Sequence, residues 1–132
     1  MKKANVPIPP ELNIISGKVV EAALEVHSAL GPGLLEGVYE ICLFHELQKR
    51  GLKTERQVSL PVIYDGIKLD EGLRLDMLVE DALVIELKAI EEILPVHLAQ
   101  ILTYLKLSGR RLGLLINFNV ARIKDGIKRV VL

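Results

Sequence analysis

The stretch LRLDMLVEDALVIELKA, residues 73 to 89, constrains this chain more than any other. Two runs of largely apolar character flank a polar centre near Asp81, which predicts two strands joined by a tight turn. Successive strand residues point to opposite faces, so Arg74, Asp76 and Leu78 share a face, as do Ala82, Val84, Glu86 and Lys88. Directly opposed residues of antiparallel strands point the same way. A three-residue connection, Glu80-Asp81-Ala82, opposes Val79 to Leu83, Met77 to Ile85 and Leu75 to Leu87, all apolar, and Asp76 to Glu86. A two-residue turn would oppose Leu75 to Glu86 and mix the faces. The apolar pattern therefore selects the register that brings the two carboxylates together.

That register puts Asp76, Glu86 and Lys88 in one patch of otherwise apolar strands. A lone buried charge is costly, and two adjacent carboxylates repel unless a cation lies between them. A divalent ion removes that cost, and oxygen-only ligands suit Mg²⁺ or Mn²⁺ rather than zinc. Lys88, beside such an ion, could orient or activate a water or stabilise a phosphate oxygen. On a solvated strand the same Glu-x-Lys is only a weak ion pair.

The remaining elements follow from period and punctuation. Three prolines in residues 1 to 10 predict an extended arm. Ile15, Val19, Ala22, Val26 and Ala29 recur at three and four residues, which predicts a helix over about 11 to 30, broken by Gly31-Pro32-Gly33. A second helix fits residues 34 to 50, with Leu35, Val38, Cys42 and Leu47 inward and Gly51 ending it. Alternating Val58, Leu60 and Val62 predict a strand that ends at Tyr64-Asp65-Gly66. Pro95 opens a third helix to about residue 107, with Gly109 after it. RLGLLINF, residues 111 to 118, reads as a buried strand, and residues 126 to 131 as a last strand or a short helix.

Half of the 132 residues are hydrophobic, enough for a core that must be mostly Leu, Ile and Val, since there is no Trp and only three Tyr and two Phe. So few aromatics argue against stacking platforms for single-stranded bases. Charge sums to zero, unlike a strongly basic nucleic-acid binder. Its distribution is uneven: residues 65 to 92 carry nine acidic and three basic residues, residues 106 to 132 seven basic and one acidic. Ordinary solvated charge explains this, and so does a metal site beside a phosphate-binding surface; charge alone favours the former. The single Cys42 excludes an internal disulfide. The start MKKANVPIPPEL is not a signal peptide, and no apolar run would span a membrane, so a cytoplasmic protein is expected.

The acidic residue, strand turn and Glu-x-Lys resemble the PD-(D/E)XK nuclease superfamily, with Asp76 and Glu86-Leu87-Lys88 on the motif positions and Leu75 where a Pro is usual. Gly33-Leu34-Leu35-Glu36-Gly37-Val38-Tyr39 matches the signature of the GxxExxY proteins, and RLDMLVEDALVIELKA and VHLAQILTYLK also look like that group. The similarity runs from about Ile14 to the C-terminus. It implies an α/β restriction-endonuclease-like core, a mixed central sheet flanked by helices in the order α-α-β-β-β-α-β, as one domain over residues 1 to 132. It implies that Asp76, Glu86 and the backbone carbonyl of Leu87 hold Mg²⁺ or Mn²⁺, that Glu36 completes or supports the site, and that Lys88 is the catalytic lysine. Gln100 and Tyr104 match the Gln-x-x-x-Tyr motif of RecB-like members and lie on one helix face.

Each has a plainer alternative. Glu36 suits a helix first turn through the dipole alone, and Tyr104 could be a core residue with its hydroxyl at the rim. Tyr39 is expected to pack beside the site. His97 is read equally as site edge or surface, His27 and His45 as ordinary helix residues and Cys42 as core. Asp70, Glu71, Glu91 and Glu92 are read as solvated loop charges, and Arg110 and Arg111 as structural rather than phosphate-binding. The implied function is an Mg²⁺-dependent endo- or exonuclease that hydrolyses phosphodiesters in nucleic acid, DNA before RNA, in a chain small enough to work as a homodimer and without a membrane partner. The alternative is a non-catalytic module that keeps the fold and binds nucleic acid or protein.

Overall fold

The computed structural model describes residues 6–132, the side chains of Asp70 and Glu71 excepted. Its elements are α1 (Pro10–Leu30), α2 (Glu36–Lys49), β1 (Thr54–Tyr64), β2 (Ile67–Val79), β3 (Leu83–Lys88), α3 (Pro95–Ser108), β4 (Leu112–Asn117), a 3₁₀ turn (Ile123–Gly126) and β5 (Ile127–Val131). The five strands form one sheet in chain order. β3 and β4 run parallel and the other neighbours antiparallel, so α3 is the crossover that a parallel pair needs. This is the expected mixed α/β architecture. Residues 126 to 131 take the strand alternative, as β5, with the 3₁₀ turn just before it.

β3 and β4 are buried almost throughout because helices cover both faces. On one side α1 and α2 set Val19, Ala22, Tyr39, Leu43 and Leu47 against Met77, Ile85, Leu87, Leu114 and Ile116. On the other α3 sets Ile101, Tyr104 and Leu105 against Leu75, Leu78, Val84 and Leu115. The odd and even residues of β3 and β4 go to opposite layers, as the period of two demands.

Two inward faces differ from expectation. Leu35, just before α2, and Val38 are exposed, Leu35 at 80%, whereas Leu47 is inward as expected and Tyr39 and Leu43 join it in the core. The Tyr39 ring stacks on Phe118 with centroids 4.6 Å apart. Its hydroxyl donates to the Gly31 carbonyl at 2.6 Å and accepts the Leu34 N–H at 3.1 Å. These contacts from outside the helix set its rotation. In α1, Ala29 is exposed, while Leu12, Ser16 and Ala23 join Val19, Ala22 and Val26 inside.

β1 and β2 form a hairpin whose turn residues Asp65 and Gly66 both have positive φ, 50° and 77°, the geometry of a two-residue turn that pairs Tyr64 with Ile67. The backbone at residues 70 and 71 lies within β2 rather than in a loop, and the expected solvation of those two side chains falls outside the described residues, as do residues 1–5 of the arm. A register shift between Leu60 and Val62 is accommodated at Gly72, where a Cβ would come within 2.6 Å of the Leu60 carbonyl. Val6 and Pro7 accept hydrogen bonds from Arg111 at 2.6 and 3.1 Å, and Arg110 pairs with Asp81 at 2.7 Å, which gives both arginines structural work. Among the described residues no helix is long and apolar enough to cross a membrane.

Candidate active site

The β2–β3 ladder runs from Val79 opposite Leu83, through Leu78 opposite Val84, to Met77 opposite Ile85, and stops there. This is the register the apolar pattern selects. One residue further, the carboxylates take the ladder's place. Glu86 Oε2 accepts the Asp76 N–H at 2.9 Å, and Asp76 Oδ2 accepts the Leu87 N–H at 2.8 Å. The expected pairing of Leu75 with Leu87 therefore does not form. Leu75 packs on the α3 side and Leu87 beneath α1 and α2. The two inserted carboxylates satisfy N–H groups that a continued ladder would have bonded.

Glu86 is only 5% exposed. Burial first, then the charge of Asp76, pushes its pKa up to about 8, against the opposing pull of the Asp76 N–H and Lys88. Burial also raises Asp76, partly offset by the Leu87 N–H, with the Glu40 charge adding to the rise. Glu36 is the first residue of α2, and burial and then Asp76 raise its pKa while Lys88 opposes. Glu36, Asp76, Glu86 and Lys88 thus act on one another across two strands and a helix start. Their carboxylates offer oxygen donors, the chemistry that a hard divalent cation takes. Among the described residues no three His, Cys, Asp or Glu side chains are grouped so that they could hold a metal ion as they stand. Asp76 and Glu86 each commit one oxygen to backbone N–H groups instead.

α3 supplies the rim. Tyr104 is buried, and burial followed by the charges of Glu86 and Asp76 raises its hydroxyl pKa, with a hydrogen bond to Gln100 opposing. Gln100 lines a cleft of about 580 Å³ together with Lys88, Val96, His97 and Thr103. His97 Nδ1 accepts the Leu94 N–H at 2.9 Å, so it caps the start of α3 and also edges this cleft. A neighbouring cleft of about 640 Å³ is lined by Ile90, Glu91, Glu92, Leu94 and His97. Asp76 and Glu86 line neither cleft, while the groups with raised pKa, Glu36, Asp76, Glu86 and Tyr104, gather about the two carboxylates. His27 is buried and bonded to the Val120 carbonyl at 2.8 Å, His45 is exposed, and Cys42 sits half-buried at the core margin.

Several contacts about the site have no counterpart in the sequence pattern. Asn117, 2% exposed, bonds the Ile90 N–H at 3.1 Å and the Ile90 carbonyl at 3.0 Å, and Phe118 N–H bonds the Lys88 carbonyl at 2.9 Å, which fixes the chain just past Lys88. Glu40 is buried one turn after Glu36 and is held by Arg56 at 3.1 Å and Gln57 at 2.8 Å. The four-residue spacing from Glu36 to Glu40 was the one available signal for these contacts.

A family model described as the PD-(D/E)XK nuclease superfamily matches residues 13–130. No curated protein and no solved structure matches the chain.

Proposed function

The chain belongs to the PD-(D/E)XK nuclease superfamily, and from that premise we propose that it is a divalent-metal-dependent nuclease that hydrolyses phosphodiester bonds, in DNA before RNA, in the cytoplasm. One observation carries the reading: the Asp76 and Glu86 carboxylates interlock at the open end of two apolar strands, where a shared cation would relieve the cost of ionising both.

Asp76 and Glu86 would hold Mg²⁺ or Mn²⁺ with the Leu87 carbonyl, and Glu36 would complete the set from α2. A bound cation would supply charge to the phosphoryl oxygens and lower the pKa of the attacking water. Lys88, which lines the cleft with Gln100, would orient the attacking water or neutralise a non-bridging phosphate oxygen. Gln100 would line the wall that the phosphate backbone meets, with the buried Tyr104 behind it. The Gly33 to Tyr39 motif supports placement among the GxxExxY proteins. A chain this small covers a duplex best as a homodimer, which light scattering with and without DNA would test.

The primary experiment is an Mn²⁺ titration followed by thermal melting. The cation should raise the melting temperature, and Asp76→Asn should abolish the rise. In parallel, linear, branched and single-stranded DNA and RNA are offered with Mg²⁺ to wild type and Lys88→Ala. Equal cleavage by both would remove Lys88 from the mechanism; Asp76-dependent metal binding with no cleavage of any substrate would favour the non-catalytic module.

A further inference from the structure

Gln57 departs from the strand around it. Its φ is +51°, in the left-handed region that residues other than glycine seldom occupy. Arg56 opposes Met77 and Val58 opposes Leu75 in one unbroken register, so Gln57 falls opposite Asp76 with no residue inserted to explain the turn. It is exposed, and burial does not hold this conformation in place. Hydrogen bonds do. Gln57 Nε2 donates to Glu40 Oε1 at 2.8 Å, and from its place opposite Asp76 the same side chain draws down the pKa of that carboxyl. A primary amide has two N–H groups, enough for two carboxylates. Glu40 is itself anchored: its other oxygen takes the Arg56 guanidinium at 3.1 Å, and Arg56 lies over the Phe44 ring at 5.2 Å.

We propose that Gln57 is a positioning residue for the candidate metal site, its left-handed backbone aiming a neutral amide that braces Asp76 against Glu40 of α2. The proposal rests on the reading of Asp76 as a metal ligand. Two carboxylates on neighbouring elements would otherwise repel and swing apart. An amide between them gives each a donor and leaves Asp76 one orientation. Partners that orient a ligand typically contribute 10- to 100-fold to metal affinity.

The test uses Mn²⁺ calorimetry and thermal melting on the full chain, wild type beside Gln57→Gly and Gln57→Asn. Glycine adopts a φ of +51° freely, so Gln57→Gly should melt lower only by what the lost bond to Glu40 costs, yet bind Mn²⁺ about tenfold more weakly or worse. Asparagine tolerates the same backbone but is one methylene too short to span both carboxylates, and should also lose affinity. A residue that merely shaped the strand would change melting and leave Mn²⁺ affinity alone. Wild-type affinity in both variants overturns the proposal. If wild type itself shows no Mn²⁺ binding that Asp76→Asn removes, the reading of the site falls first and this one with it. Should Gln57→Gly not fold, the Asn variant decides by the same criterion.

Discussion

The two ends of the β2–β3 pair are built from the same strands and behave oppositely. At the closed end, Val79, Leu83, Leu78, Val84, Met77 and Ile85 are all buried, the backbone bonds itself, and the connection Glu80-Asp81-Ala82 turns through two residues of positive φ, 52° and 56°. At the open end the backbone is satisfied by Asp76 and Glu86, whose capacity to accept changes with protonation. Apolar packing is therefore concentrated at one end and ionisable groups at the other. The polar end keeps its order only because each carboxylate has an N–H to face.

This contrast can be broken from either side. The largest expected effect is on activity at the open end: Lys88→Ala should lower the cleavage rate about 10²–10³-fold while leaving the melting temperature nearly unchanged, measured on the best substrate of the parallel assay. At the closed end, Ile85→Ala should cost roughly 2–5 kcal/mol in denaturant unfolding, yet the folded fraction should respond to Mn²⁺ as wild type does.

The pH dependence sharpens the comparison. Glu86 has a folded pKa of about 8 against an ordinary value of 4.5. A raised folded pKa means that its contribution is complete below pH 4.5 and is lost as pH rises through about 8. Metal-free protein should thus lose stability across that window, by a few kcal/mol at most. Glu86→Gln should remove this slope, and saturating Mn²⁺ should flatten it, as followed by melting at successive pH values. The smallest effect belongs to the turn. Arg110→Ala removes the exposed pair with Asp81 and should cost less than about 1 kcal/mol in urea, without touching metal binding.

Much of the closed end was legible in the chain. Alternation of apolar residues about Asp81 selected one register, and the structure has it. Pro95 and Gly109 bracket α3 as read, the latter in a left-handed C-cap with φ 70°. Leu75 was misplaced because strict alternation assumes a continuous ladder, and the ladder ends one pair short of it. The face of α2 was misplaced because Leu35 and Val38 look no less apolar than Leu43; a Phe118 ring 79 residues beyond Tyr39 decided between them. Gln57 and Asn117 carried no signal, since an amide's task depends on what happens to stand within reach of it.

The sequence by itself determined the order of elements, the β2–β3 register, and that Asp76 and Glu86 share a patch with Lys88, because periodicity and turn length are local properties of the chain. Only the tertiary structure decided that the carboxylates would replace the ladder rather than sit beside it, that α2 would turn Tyr39 inward and lead with Glu36 toward the site, and that Glu40, Arg56 and Gln57 would form a brace behind Asp76. Those outcomes depend on which groups meet across distant segments, and the burial and repulsion that follow arise only when the layers close.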